Sequence, residues 1–177
     1  MNKFFSAGLC VIFLSIIYIS CGNNSPENYF NIAVLNTNRL SGFAGNGMLR
    51  QLESPSEIMT GENNETAAMK SVDIVNSQIE FLETNLSKLK ELKPTDDTKE
   101  MLDASLALHE YVLPVFKNEY TQLAGLYDSR ASEDKISALS GSIKDKYLKG
   151  YEDKYNKLIA AGKLYAEKNN IKVNWGN

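Results

Sequence analysis

Residues 68–94 read AMKSVDIVNSQIEFLETNLSKLKELKP, and their spacing decides the fold. Ala68, Val72, Val75, Ile79, Leu82, Leu86 and Leu89 recur at alternating steps of four and three, which lines them along one seam of an α-helix. The spacing predicts a helix from about Asn64 to Leu92. Lys93 and Pro94 end it, because the residue before a proline avoids helical geometry. Lys88, Lys90, Glu91 and Lys93 form its solvated face.

The same rhythm continues on the C-terminal side. Asp97 with Glu100 three residues later has the form of a capping box. Leu102, Leu106, His109, Leu113, Phe116, Tyr120, Leu123 and Tyr127 then follow at helical spacing, and Leu108, Val112 and Val115 widen that stripe into the broadest apolar face of the chain. Pro114 lies inside it, so a kink is predicted near Glu110 to Pro114. Ser132, Glu133 and Asp134 cap a further helix expected to reach Asn169. Its inward side is Ile136, Leu139, Ile143, Tyr147, Tyr151, Tyr155, Leu158 and Tyr165. Asn169 and Asn170 terminate it, and the apolar residues of Ile171 to Trp175 are expected to fold back.

Toward the N-terminus the pattern is weaker. Ser25, Pro26 and Glu27 start a helix with Tyr29, Ala33, Asn36, Leu40 and Phe43 on one stripe. Gly42, Gly45 and Gly47 weaken it, each costing about 1 kcal/mol against alanine. These glycines resemble a GxGxxG phosphate cradle, but no strand precedes them, and a bend is the plainer reading. Ser54 to Asn64 reads as the longest loop. Helices of about 29, 32 and 38 residues would span roughly 43, 48 and 57 Å, with short connections. The expected architecture is all-α: an antiparallel up-down four-helix bundle over residues 26–177 with a lipidated N-terminal tether. A three-helix bundle with a loosely attached first segment is the alternative.

The opening MNKFFSAGLCVIFLSIIYISCG, Met1 to Gly22, has the parts of an export signal. Lys3 is its positive end, Phe4 to Ile19 its apolar run of about sixteen residues, short of the roughly twenty that span a bilayer, and Ser20 its small residue. Tyr18, Ile19, Ser20 and Cys21 stand where bacterial lipoprotein precursors carry their lipobox. Tyr18 replaces the usual leucine, as in relaxed lipoboxes of spirochaetes and Bacteroidetes. The resemblance implies a cleaved signal peptide at 1–20, a tether at 21–25 and a diacylglycerol thioether, with a further acyl chain such as palmitate, on Cys21. An uncleaved anchor with a chance cysteine is the other reading. More than one acyl chain makes attachment stable. Gly22 is not the acidic second residue associated with inner-membrane retention, so the outer membrane is favoured, at the surface or on the periplasmic face.

Lys3 is the only charged residue before Glu27, so the chain from Cys21 onward carries 18 basic against 22 acidic side chains, a formal −4. That balance argues against a nucleic-acid partner. Cys10 and Cys21 are the only cysteines, which leaves the domain no disulfide and no thiolate metal site. His109 is the only histidine. It could ligate a haem inside a bundle, but a hydrogen-bonded core histidine is the plainer reading, and position 106 is Leu where a di-iron motif would place Glu. No metal site and no catalytic residue is assigned. Asn64-Glu65-Thr66 and Asn85-Leu86-Ser87 match glycosylation sequons weakly.

Tyr147, Tyr151 and Tyr155 stand one turn apart among Lys144, Lys146, Lys149, Lys154 and Lys157. They are a possible binding face, and equally suit a bundle edge with the ring buried and the hydroxyl wet. The stretches SKLKELKP, LALHEYVLPVFKNEYTQLAGLYD and KLIAAGKLYAEKNNI resemble small all-helical lipoproteins and surface proteins of diderm bacteria, which implies a helical bundle with no catalytic residues to carry over. The expected function is a non-catalytic binding module for a protein or glycan at the cell envelope or surface. A structural subunit of an envelope complex is the alternative, and a haem or small-ligand carrier a remote third.

Overall fold

The computed structural model describes residues 25–60 and 65–175. The signal peptide, Cys21, the rest of the tether before Ser25, and Asn64 lie outside the described residues. The domain is all-α apart from one small hairpin. Its elements are α1 (Pro26–Ala33), a 3-10 turn (Leu35–Leu40), α2 (Asn46–Glu53), β1 (Glu57–Met59), β2 (Thr66–Ala68), α3 (Ser71–Glu91), α4 (Lys99–Val115), a π turn (Phe116–Tyr120), α5 (Thr121–Asp128) and α6 (Glu133–Lys168).

The first segment is not one helix. Ser25 Oγ accepts from the Asn28 N–H at 3.2 Å and starts α1 as its sequence predicts. The helix then tightens at Leu35 and turns at Gly42, whose φ is +83°. The Gly42 and Gly47 backbones approach so closely that a Cβ on Gly42 would lie 2.6 Å from the Gly47 Cα. The glycines therefore serve a tight bend and not a phosphate cradle. Nor is the segment loosely attached, since Phe30, Ala33, Val34, Leu40, Phe43 and Leu52 are all buried.

Residues 66–68 are not helical. They pair antiparallel with 57–59, Ile58 opposite Ala67, and all six strand residues are exposed. Helix α3 starts at Ser71 instead, because Asp128 at the end of α5 caps it from across the domain. Its carboxylate accepts from the Ser71 N–H at 2.7 Å and the Val72 N–H at 3.0 Å, satisfying two of the orphan donors of a helix start. The buried seam is Ser71, Val75, Gln78, Leu82, Asn85 and Leu89. Val75, Leu82 and Leu89 are where the spacing put them; Ile79 and Leu86 flank the seam half-buried, and polar residues seven apart take their place.

The cap of α4 is a Thr95/Thr98 pair, each backbone N–H bonded to the other's hydroxyl at 2.8 and 3.3 Å. Asp97 pairs with Lys168 instead of capping. Pro114 is accommodated on the exposed side of α4, and the irregularity falls just after it as the π turn. There Asn118 Nδ2 donates to the Pro114 carbonyl (2.8 Å) and Thr121 Oγ1 to the Phe116 carbonyl (3.0 Å), satisfying acceptors that the shifted ladder leaves. Helix α6 ends at Asn170, with φ +56° and the Ile171 N–H on the Ala166 carbonyl, a left-handed cap. The tail folds back as expected, and Trp175 meets Phe30 edge-on at 5.8 Å.

Cross-contacts fix which ends meet. The Tyr29 hydroxyl reaches the Lys93 carbonyl and Lys168 reaches Asp97 at one end. At the other, Tyr127 reaches Glu53 and Asp128 reaches Ser71. Between them, Lys117 pairs with Glu83 and Tyr111 packs on Tyr147. The core is centred on Phe43, whose ring lies 5.1 to 5.9 Å from those of Phe116, Tyr120 and Tyr151. Burying such a ring contributes about 2–3 kcal/mol.

Candidate functional site

The long helices reach the backbone of the broken first segment with their side chains. Asn85 donates to the Ile32 carbonyl (3.1 Å) and Gln78 to the Arg39 carbonyl (3.2 Å). Ser105 donates to the Ala33 carbonyl (2.7 Å) and Tyr151 to the Leu40 carbonyl (2.9 Å). The Ala44 N–H donates to the Tyr120 hydroxyl at 2.9 Å. Three buried polar side chains, Gln78, Asn85 and Ser105, together with Tyr120 and Tyr151, thus hold the first segment in place.

His109 belongs to this network. Its Nδ1 lies 2.8 Å from the Ser105 carbonyl, which can only accept, so Nδ1 carries the proton. Nε2 then accepts from Asn85 Nδ2 at 2.9 Å. Both ring nitrogens are engaged and the side chain is fully buried, the arrangement of a core histidine. Burial lowers its pKa, with the Ser105 hydrogen bond opposing. Asn85, the second sequon residue, is buried with it.

The tyrosine stripe is a packing boundary. Tyr151 is in the core, and burial raises its hydroxyl pKa. Burial likewise pushes Tyr120 up to about 12. Tyr147 is half-buried, donates to Glu119 and lies under the Lys146 ammonium. Tyr155 stacks on Tyr151 at 5.6 Å. The three rings therefore do not form one open platform.

Sequence reasoning missed the groove between the first segment and α3. Two adjacent clefts of 320 and 230 Å³ share Arg39, Gln51 and Gln78. Their combined space falls in the range of small-ligand sites. The Arg39 guanidinium lies 4.3 Å above the centre of the Phe81 ring, a cation–π contact that orients it without using its N–H donors. Among the described residues it forms no ion pair. Although the chain is acidic, no Asp or Glu among the described residues lines either cleft. Amides and serine hydroxyls do, notably Asn38, Gln51, Ser54 and Ser77. The one available signal was the polar heptad Ser71, Gln78, Asn85, which marks where α3 faces an irregular backbone.

The other large cleft, 410 Å³ near Tyr29 and Tyr165, is lined by groups committed to one another. Asp97 is paired with Lys168, Tyr29 is bonded to Lys93, and Thr95 to Thr98. Among the described residues no cluster of His, Cys, Asp or Glu has the form of a metal site, and no helix is long and apolar enough to cross a membrane. No family model, curated protein or solved structure matches the chain.

Proposed function

We propose that this chain is a lipid-anchored, non-catalytic binding module of the cell envelope, and that the groove at Arg39 is its ligand face. One observation carries the groove: a guanidinium over Phe81 without a protein acceptor among the described residues, set between clefts whose polar lining among those residues is mostly uncommitted amides and hydroxyls with no carboxylate. The lipoprotein-like opening supports the anchor through Cys21 and the outer membrane as its place. The domain is read as an up-down four-helix bundle in which residues 26–53 form a broken first member. The end contacts of Tyr29 with Lys93 and of Glu53 with Tyr127 support that reading. The anchor then enters at the Lys93 end, and the hairpin stands at the far end.

Labelling cells with an alkyne palmitate tests the anchor. The wild type should take the label, and Cys21→Ser should lose it and leave the membrane fraction; an unlabelled wild type would sink this part. A photo-crosslinking side chain at Gln51 tests the groove. It should capture an envelope component in intact cells, several-fold less with Arg39→Gln. No adduct would remove the ligand face.

A second reading, a structural subunit of an envelope complex, draws on the hairpin. Its Ile58 and Met59 are 40% and 67% exposed, and its outer edges offer strand pairing to a partner.

A further inference from the structure

We propose that the Arg39 groove takes an acidic saccharide, with a uronate-type carboxylate on the guanidinium and the flanking sugar hydroxyls on the amides and serines either side. The inference rests on the groove being the ligand face and names the class of ligand.

Charge is the first argument. A guanidinium held over an aromatic ring by a cation–π contact keeps its N–H donors for a ligand, and those donors match a carboxylate with two parallel hydrogen bonds. Among the described residues Arg39 is the only cationic one lining either cleft. One positive charge in a domain of formal −4 from Cys21 onward suits a single carboxylate better than a dianionic phosphate. A densely charged polyanion would be repelled by the surrounding field.

The lining decides the rest of the ligand. Asn38, Gln51 and Gln78 each offer a donor and an acceptor on one amide, and Ser41, Ser54 and Ser77 do so on one hydroxyl. Gln78 uses one donor on the Arg39 carbonyl; among the described residues the other five side chains form no hydrogen bond with protein. Sugar hydroxyls, which both donate and accept, match such groups. Apolar side chains find little in the first cleft, because its Phe43, Met48 and Phe116 are only 2–5% exposed.

Position is the third argument. The clefts extend to both sides of Arg39, one toward Phe116 and one toward Ser56 and Met69 at the hairpin base. The charged group therefore sits at the middle of the ligand and not at its end. A uronate within an oligosaccharide has that form, and a peptide C-terminus does not.

The test is an immobilised panel probed with the purified full-length chain in a polyoxyethylene detergent. The panel holds short galacturonate oligosaccharides, the same sugars with carboxyls reduced to alcohols, and glutamate-containing peptides of equal charge. The expected result is binding to the galacturonates, weaker by roughly tenfold or more for the reduced sugars and again for Arg39→Gln. Gln51→Glu, which sets a carboxylate in the groove, should lose binding likewise. Lys144→Gln, outside the groove, should bind as wild type, and all three variants should keep the wild-type melting temperature. Equal binding of acidic and reduced sugars, preference for the peptides, or indifference to both groove substitutions would overturn the inference. If nothing in the panel binds while the Gln51 crosslink still forms, the saccharide assignment falls and the ligand face stands. If the crosslink is absent too, both fall.

Discussion

Replacing Asn85 by leucine tests whether the polar residues on the α3 seam are what hold the first segment. Asn85 is 2% exposed. It accepts from Asn36 Nδ2 at 2.5 Å and donates to the Ile32 carbonyl at 3.1 Å and to His109 Nε2 at 2.9 Å. Each such bond contributes about 1 kcal/mol net, and a buried partner left unpaired costs about 1–3 kcal/mol. His109 cannot turn to water, because it is fully buried and Nδ1 is held by the Ser105 carbonyl. Ile32 and Asn36 are half-buried and regain part of their hydration. The leucine itself adds apolar burial of about 1–2 kcal/mol in the opposite sense.

The balance is a loss of about 2–4 kcal/mol. Urea denaturation followed by far-UV circular dichroism measures it. A second arm separates the bond from the packing. His109→Phe removes the other partner, so the double variant leaves no imidazole unpaired and should lose at least about 1 kcal/mol less than the sum of the two singles. A single variant within about 0.5 kcal/mol of wild type, or strict additivity in the double, would refute the reasoning.

Stability should fall as pH drops below about 6.5, where an unfolded histidine takes its proton. Burial holds the folded His109 pKa lower, so the unfolded chain binds the proton first and the slope is about 1.4 kcal/mol per pH unit until the folded ring also protonates. Urea midpoints at a series of pH values, compared with His109→Gln, isolate this slope; an equal slope in the variant would contradict it. Gly42→Ala should destabilise by about 3 kcal/mol or more, through its positive φ and the Gly47 backbone behind it. Gly125→Ala, an exposed helical position with nothing within 4 Å of the new Cβ, should gain about 0.5–1 kcal/mol, and thermal denaturation of both checks the contrast. Arg130, at φ +52° where the Ala131 N–H closes on the Leu126 carbonyl, should gain about 1 kcal/mol as Arg130→Gly; an unchanged melting temperature would show that the position is not strained.

The long helices were legible because their burial is uniform. The stripe through Leu102, Leu108, Val112, Leu123 and the α6 residues Ile143, Tyr151, Leu158 and Tyr165 follows helical spacing and is buried. The phase of α3 was only partly legible: apolar spacing favours Ile79 and Leu86, whereas the structure turns Gln78 and Asn85 inward to meet carbonyls of a segment far away in sequence. The hairpin left no pattern, since strands of three residues with every side chain exposed carry no alternation. The glycine bend was readable as a weak point, but the 3-10 tightening at Leu35 was not, because it follows from how the segment packs. Arg39 stayed invisible for the same reason. Its partner Phe81 is set by tertiary placement, and nothing near residue 39 announces it.

The break in the first segment and the groove have one cause. A regular helix over residues 26–53 would consume its own carbonyls, leaving Gln78, Ser105 and Tyr151 buried without acceptors, and Asn85 with His109 alone, at a cost of about 1–3 kcal/mol for each lost acceptor. The sequence instead turns at Gly42, and those four side chains bond carbonyls of the bent segment. The detour lifts residues 38–51 away from a straight path against α3, and the space it leaves is the pair of clefts around Arg39. With the Arg39 carbonyl held by Gln78 and its guanidinium laid on Phe81, the residue is fixed at both ends by α3. A site that depends on an irregular backbone is thus positioned by the most regular part of the chain.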